Sequence, residues 1–350
     1  MIKSIAIKNY RGIKDLEIDN FKKYNFFIGD NGSKKSTILE SLGIALSGLS
    51  FVGILLIAST RKMKIKKENI SSLFFNSDTK NIIEFILQTI DNTKVKTIVS
   101  INNTLSMFQG YSFNQNKIGT YLYTMKKEIG KDYLETNIYL DENSKIPYQE
   151  HIIEDIPKSF EVFLKKYDSC VEITDNLKNS EETVAQISRI IKKRKKQELL
   201  KYLRLIDNDI KEIFIDDEEI FVEKESIKDS IPISAIGDGI VLALDIISHL
   251  IFLDNFGIVL IDEIEKGIYY KNYRKLSEII IELCKNNQNI QLFITTHSKE
   301  FLEAFNEALF ETEKDNFSLF SLRNKKEKLD VVHYTSEELK DTLETGWDPR

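Results

Sequence analysis

From Tyr24 to Thr37 the chain reads YNFFIGDNGSKKST, and this run limits the fold more than any other. Tyr24–Ile28 is an apolar strand pattern. Gly29, Asp30, Asn31, Gly32, Ser33, Lys34, Lys35, Ser36 and Thr37 follow, and then an apolar helical pattern. Strand, glycine-bearing loop and helix in that order make a phosphate-binding loop. Its backbone N–H groups and the positive end of the helix converge on one anion. The helix of such a unit must be buried beneath a sheet, so an α/β fold is expected. Lys35 is placed to neutralise β- and γ-phosphate oxygens, and the Ser36 hydroxyl to bind Mg²⁺. One position departs from the pattern: glycine belongs immediately before the lysine, and Lys34 stands there. A side chain at the tightest part of the loop predicts nucleotide binding with impaired hydrolysis.

Acidic residues number 55 and basic residues 49, a formal net charge of −6, so no global basic field draws the chain onto nucleic acid. Cys170 and Cys284 lack CxxC spacing. They predict neither a zinc site nor a disulfide framework and suit a reducing cytoplasm. The opening MIKSIAIKNYRG has no signal-peptide apolar core. Leu42–Ala58 is uncharged and apolar, but it is short for a membrane span and directly follows the phosphate loop, so a buried helix and its continuation are expected.

Alternation marks strands at Ile2–Lys8 and Leu16–Ile18, ahead of Tyr24–Ile28. The character changes between Lys62 and Glu225. There, short β-like runs, helical periodicity over Ile152–Tyr167 and Val184–Ile206, and a hairpin pattern over Lys211–Val222 describe an inserted α+β lobe. After Ser234 the signals of a parallel α/β core return: a helix at Gly239–Leu253, a strand at Gly257–Ile261, a helix at Tyr270–Cys284 and a strand at Ile290–Thr295. The early loop strand and the two late strands belong to one sheet split by the insertion. Thr335 and Glu338 form a capping box for a last helix that stops at Gly346.

Three further motifs carry chemistry. In IVLIDE an apolar strand runs into Asp262 and Glu263, placing Asp262 beside Mg²⁺ and Glu263 where it can polarise an attacking water. In FITTHS, His297 lies just past a core strand, facing the crevice where ligands bind in open α/β sheets. Ser234, Gly237 and Gly239 of ISAIGDG open a helix whose N-terminus suits phosphate. His249, inside an apolar helix, reads as structural, and His151 and His333 have no motif around them.

The order phosphate loop, Ser…GDG, LIDE, TTHS resembles an ABC-type ATPase head. It is similar above all to the SMC-like and OLD-like (overcoming lysogenization defect) AAA-family proteins of bacterial anti-phage and abortive-infection systems. The opening IKSIAIKNYRGIKDLEI, with Tyr10, Arg11 and Gly12, the run KKRKKQELLKYLRLIDNDIKEIFI and the tail EELKDTLETG carry the same likeness. It covers both ends of the chain well and residues 60–180 poorly. The resemblance implies a P-loop NTPase fold, ATP and Mg²⁺ as cofactors, and a head-to-tail homodimer sandwiching two ATP. Lys35, Ser36, Asp262, Glu263 and His297 would act in cis, and Ser234, Gly237 and Gly239 in trans. Two departures stand out: Lys34, and the lack of a convincing glutamine for the Mg²⁺-sensing loop, since Gln88 lies inside a strand-like run. No Toprim-like nuclease block precedes Arg350, so the OLD nuclease is not expected.

Lys192, Lys193, Arg194, Lys195 and Lys196 form a basic stripe that suits either DNA phosphates or a solvated helix face; no aromatics interleave for base stacking. The expected organisation is an ABC-type ATPase head made of residues 1–60 and 226–350, with an inserted lobe at 61–225. The expected function is ATP-driven dimerisation that controls a partner effector. A nucleotide-gated module with negligible hydrolysis and an SMC-like DNA-repair ATPase are the alternatives. The second of these would want long heptad arms, and the chain has none.

Overall fold

A computed structural model describes residues 1–47, 71–102, 121–140, 148–151, 156–167, 170–173, 181–253, 257–287, 289–325, 328–346 and 348–349. In chain order the elements begin with β1 (Ile2–Tyr10), β2 (Ile13–Ile18), β3 (Tyr24–Ile28), α1 (Lys35–Leu46), β4 (Ile83–Thr89), β5 (Lys94–Asn102) and β6 (Tyr121–Ile129). Then come β7 (Asp132–Leu140), β8 (Tyr148–His151), α2 (Lys158–Tyr167), β9 (Cys170–Ile173), α3 (Glu181–Lys192), α4 (Lys196–Ile206), β10 (Ile210–Asp216) and β11 (Glu219–Lys224). The chain continues through β12 (Ile231–Pro232), α5 (Asp238–Phe252), β13 (Gly257–Ile261), α6 (Tyr273–Asn286), β14 (Ile290–Thr295) and α7 (Lys299–Glu313). It closes with β15 (Phe317–Lys325), β16 (Lys328–Tyr334) and α8 (Ser336–Glu344).

These elements form two compact units. One comprises Met1–Phe21, Ser36–Asp168 and Asn324–Asp330; the other comprises Lys22–Lys35, Ser169–Arg323 and Val331–Arg350. Residues 61–225 therefore contribute to both. The first unit holds a seven-stranded sheet in the order β2-β1-β4-β5-β6-β7-β8, every pair antiparallel. Tyr10 at the end of β1 packs its ring edge-on against Phe85, and its hydroxyl donates to Glu40 of α1 at 3.2 Å. Arg11 Nε lies 3.1 Å from the same carboxylate. Burial first, and then the charge of Glu40, hold the Tyr10 hydroxyl above its ordinary pKa, so it stays a donor.

The second unit is built on a six-stranded sheet in the order β16-β15-β3-β14-β13-β9. β9, β13, β14, β3 and β15 all run parallel. β3, β13 and β14 are buried along their whole length, as parallel strands covered on both faces must be. Alternation on β3 divides its aromatics. Phe26 packs on Phe305 and Phe317 in the main core, whereas Phe27 stacks between Phe293 and Phe320. In register, Thr295 lies opposite Phe27 and Ile261 opposite Ile294, so β3, β13 and β14 end together at one edge.

Three helical expectations needed adjustment. The helix expected over Ile152–Tyr167 is α2, which starts at Lys158; residues 152–155 lie outside the described residues. The periodic stretch 184–206 is two helices, because Arg194 turns left-handed at φ +59° and Lys195 N–H closes back onto the Ile190 carbonyl at 3.0 Å. That is a helix stop of the kind glycine usually makes. α6 starts at Tyr273, behind a 3₁₀ turn at Tyr270–Asn272. The Lys211–Val222 hairpin is β10–β11, its turn made by left-handed Asp217 and Glu218. α1 carries the first residues of the apolar segment Leu42–Ala58 and Ser47 follows it; residues 48–58 lie outside the described residues. Among the described residues no helix is long and apolar enough to cross a membrane. Neither cysteine forms a disulfide, and burial pushes the Cys284 thiol up to about 12.

Candidate functional site

The loop after β3 wraps around its own lysine. Lys35 Nζ donates to the Gly29 carbonyl at 2.7 Å, the Asp30 carbonyl at 3.2 Å and Ser33 Oγ at 3.4 Å. These partners are neutral, and the side chain is buried. Desolvation lowers the Lys35 pKa, while Asp262, Glu263, Glu265 and Asp30 pull it back up from longer range. A buried cation without a neutralising hydrogen-bond partner favours an arriving anion. α1 has no acidic side chain in its first turn, so its positive end is also open to one. Ser36 and Thr37 follow in that turn. Gly29 sits at φ +143°, where a β-carbon would lie 2.4 Å from the Leu322 carbonyl oxygen. The loop therefore depends on glycine there. Asp30, Asn31 and Gly32 are exposed at its tip.

Lys34 holds φ +70°, a backbone region natural to glycine. The loop thus keeps its path, and the departure is stored as strain of about 1–2 kcal/mol for a residue with a β-carbon. Glu263 is strained in the same way, at φ +53°. Both outliers belong to segments singled out on sequence grounds, as expected where structure serves a site.

The other two strand ends complete the arrangement. Thr295, the last residue of β14, donates its hydroxyl to Asp262 Oδ1 at 2.5 Å and accepts the Glu263 backbone N–H at 2.8 Å. Glu265 accepts the Thr296 hydroxyl and the His297 backbone N–H, each at 2.7 Å. His297 Nδ1 lies 3.5 Å from Lys35 Nζ. Lysine, acidic pair and histidine are thereby brought together at the sheet edge. Lys266 pairs with Glu263 at 3.5 Å, both side chains nearly half exposed, so this pair contributes little. Sequence reasoning missed Thr295 and Glu265. The available signals were a hydroxyl at the end of an apolar strand and a third acid close behind Asp262.

The signature-like segment leads into α5. Ser234 and Gly237 are exposed, in a 3₁₀ turn and at the N-cap of α5. Gly239 is buried, and a β-carbon there would lie 2.3 Å from the Gly267 carbonyl oxygen. At Gly237 a β-carbon meets nothing within 4 Å. Gly239→Ala is therefore expected to lower the melting temperature by several degrees, an overpacking cost of about 1–3 kcal/mol, while Gly237→Ala leaves it unchanged. Differential scanning fluorimetry checks both.

Other residues noted in the sequence have contacts within the chain. His249 Nδ1 lies 2.9 Å from the Asp245 carbonyl within α5, and His333 lies 3.0 Å from Ser318 and packs on Phe320. The His151 side chain is outside the described residues. Gln88 is a β4 residue beside Asn92. In the basic stripe, Lys195 donates to the Ile251 carbonyl, Lys193 sits over the Phe252 ring and Lys196 pairs with Glu212.

Residues 24–303 match the family described as "AAA domain, putative AbiEii toxin, Type IV TA system". The chain belongs to that family. This AAA protein is 32% identical over 334 residues to a protein of Helicobacter pylori named ATP/GTP phosphatase, covering 89% of each chain. Its fold is similar to that of an Smc head solved in complex with the C-winged helix domain of ScpA, with a TM-score of 0.54 at 14% identity, covering 96% of this chain and 98% of that one. The protein is a P-loop ATPase of the AAA family, with a mixed α/β head-like fold.

Proposed function

We propose that this AAA protein binds Mg-ATP at the β3, β13 and β14 strand ends, dimerises head to tail on binding, and hydrolyses ATP slowly to control a separate effector. The observation that carries this reading is the convergence of Lys35, His297 and the Thr295-pinned Asp262–Glu263 pair on one edge. In it, Lys35 exchanges loop carbonyls for β/γ oxygens, and Glu263 orients and deprotonates the attacking water. His297 faces the γ-phosphate. Ser36 and Asp262 would hold Mg²⁺, which would supply charge neutralisation on the phosphates. Exposed Ser234 and Gly237, with Gly239 behind them, present the α5 N-terminus to the γ-phosphate of a second copy.

The setting we assign is bacterial phage defence in the cytoplasm. The sequence resemblance supports it, as does a family description that names a toxin–antitoxin system. The 61–225 segment is our choice for the effector's docking region. A nucleotide gate with negligible turnover is the second reading, favoured by the left-handed Lys34. The DNA-associated reading has less support, since Lys193, Lys195 and Lys196 are engaged within the chain.

Glu263→Gln removes the base and keeps the shape, so it is expected to retain ATP and accumulate as dimer in size-exclusion light scattering. Gly237→Ala in that background should reduce the dimer without lowering the melting temperature. A Glu263→Gln protein that stays monomeric in saturating Mg-ATP contradicts the sandwich.

A further inference from the structure

We infer that Glu265 is a positioning residue for hydrolysis, holding His297 against Lys35. It lies three residues beyond Asp262, in the turn after β13, and is half-buried. Each carboxylate oxygen has its own donor: Oε1 takes the His297 backbone N–H and Oε2 the Thr296 hydroxyl, both at 2.7 Å. Hydrogen bonds to a carboxylate are the strong kind, and two on one planar group fix orientation as well as distance. The Thr296 hydroxyl oxygen also accepts the Ser298 N–H at 3.0 Å, and Ser298 caps α7 through Phe301 N–H at 3.0 Å. The backbone at 296–298 is thus held from both sides.

This matters because His297 follows the end of β14. The strand ladder stops at Thr295, and α7 begins only at Lys299. Between them the Thr296 N–H reaches the Phe27 carbonyl at 3.2 Å, and the turn acid takes the next N–H, that of His297. The Thr295 hydroxyl orders the Asp262–Glu263 side of the edge, and Glu265 orders the histidine side, which approaches Lys35 to 3.5 Å. A ring misplaced by about 1 Å costs roughly a hundredfold in rate. Glutamine can keep both contacts, since its carbonyl oxygen accepts from His297 and its NH₂ donates to the Thr296 oxygen. Alanine keeps neither.

The inference rests on the ATPase reading, so its test has a readout that needs no turnover. The chain has four histidines, and a ¹H–¹³C spectrum of the imidazole rings resolves them, with His297→Ala assigning the relevant signal. Glu265→Ala should shift or broaden the His297 ring signal in the nucleotide-free protein and leave those of His249 and His333 in place. Glu265→Gln should keep it near the parent position. In turnover, Glu265→Ala should lower kcat about tenfold or more with KM for ATP within about threefold, Glu265→Gln should restore most of the loss, and Glu265→Ala should cost nothing further in a His297→Ala background. An unmoved His297 signal in Glu265→Ala overturns the inference, whatever the turnover. So does an equal loss with and without His297. A parent that hydrolyses no ATP removes the ATPase reading and leaves the spectral test of the contact standing.

Discussion

Lys35→Ala is expected to lower kcat/KM for ATP by about 10²–10³ while leaving the nucleotide-free protein as stable as the parent or more so. The two halves of that expectation have one cause. Lys35 is a buried ammonium held by carbonyl and hydroxyl oxygens, and burial depresses its pKa. A lysine with a folded pKa below its unfolded one is a cost to the fold: the cost is full below the folded pKa and vanishes as pH rises past the unfolded value. At neutral pH, removing the ammonium therefore takes away a penalty along with three hydrogen bonds. The charge is recovered usefully only when phosphate oxygens arrive, where each charged hydrogen bond is worth about 1.5–3 kcal/mol. Scanning fluorimetry with and without Mg-ATP checks this. The ligand-free melting temperature should hold, and the ATP-dependent rise expected of the parent should be absent. A Lys35→Ala protein that melts far below the parent would assign the lysine to the fold.

Lys34→Gly is expected to raise kcat about tenfold, or about 1.4 kcal/mol, with Kd for ATP changed by less than about threefold. Lys34 already adopts the left-handed backbone that glycine prefers, so the loop's path needs no rebuilding. What the substitution removes is a β-carbon and a second ammonium beside the polyphosphate. Losing the β-carbon lets the backbone approach more closely, and losing the ammonium gives up attraction. These oppose each other in ground-state binding. They do not cancel in the transition state, where positioning supplies most of the rate. Stability should rise slightly or stay level, because relief of about 1–2 kcal/mol of strain opposes about 0.5–1 kcal/mol of glycine's extra chain entropy. Single-turnover kinetics and equilibrium titration separate the two constants. A glycine variant no faster than the parent would mean that the loop has adapted around Lys34.

What was legible in the sequence was local. β3, β13 and β14 begin and end where the residue pattern placed them, because short apolar runs bounded by glycine, acids or hydroxyls leave little freedom in register. The Thr335–Glu338 capping box formed with both of its halves. What was not legible was long-range. The pairing of β1 with β4 joins residues some eighty positions apart through alternation that either strand could satisfy elsewhere. The break at Arg194 was hidden because a helix stop that usually uses glycine here falls inside a basic run. Thr295 and Glu265 escaped notice because their work is done across two strand ends, a relation visible only once β13 and β14 are neighbours.

The most direct test of the central claim is phosphate release from ATP by the purified parent chain, with Mg²⁺ and again with excess EDTA, beside a Lys35→Ala preparation. The account predicts slow release that requires Mg²⁺ and is absent from the Lys35→Ala protein. Release no greater from the parent than from Lys35→Ala, or release indifferent to EDTA, would contradict it.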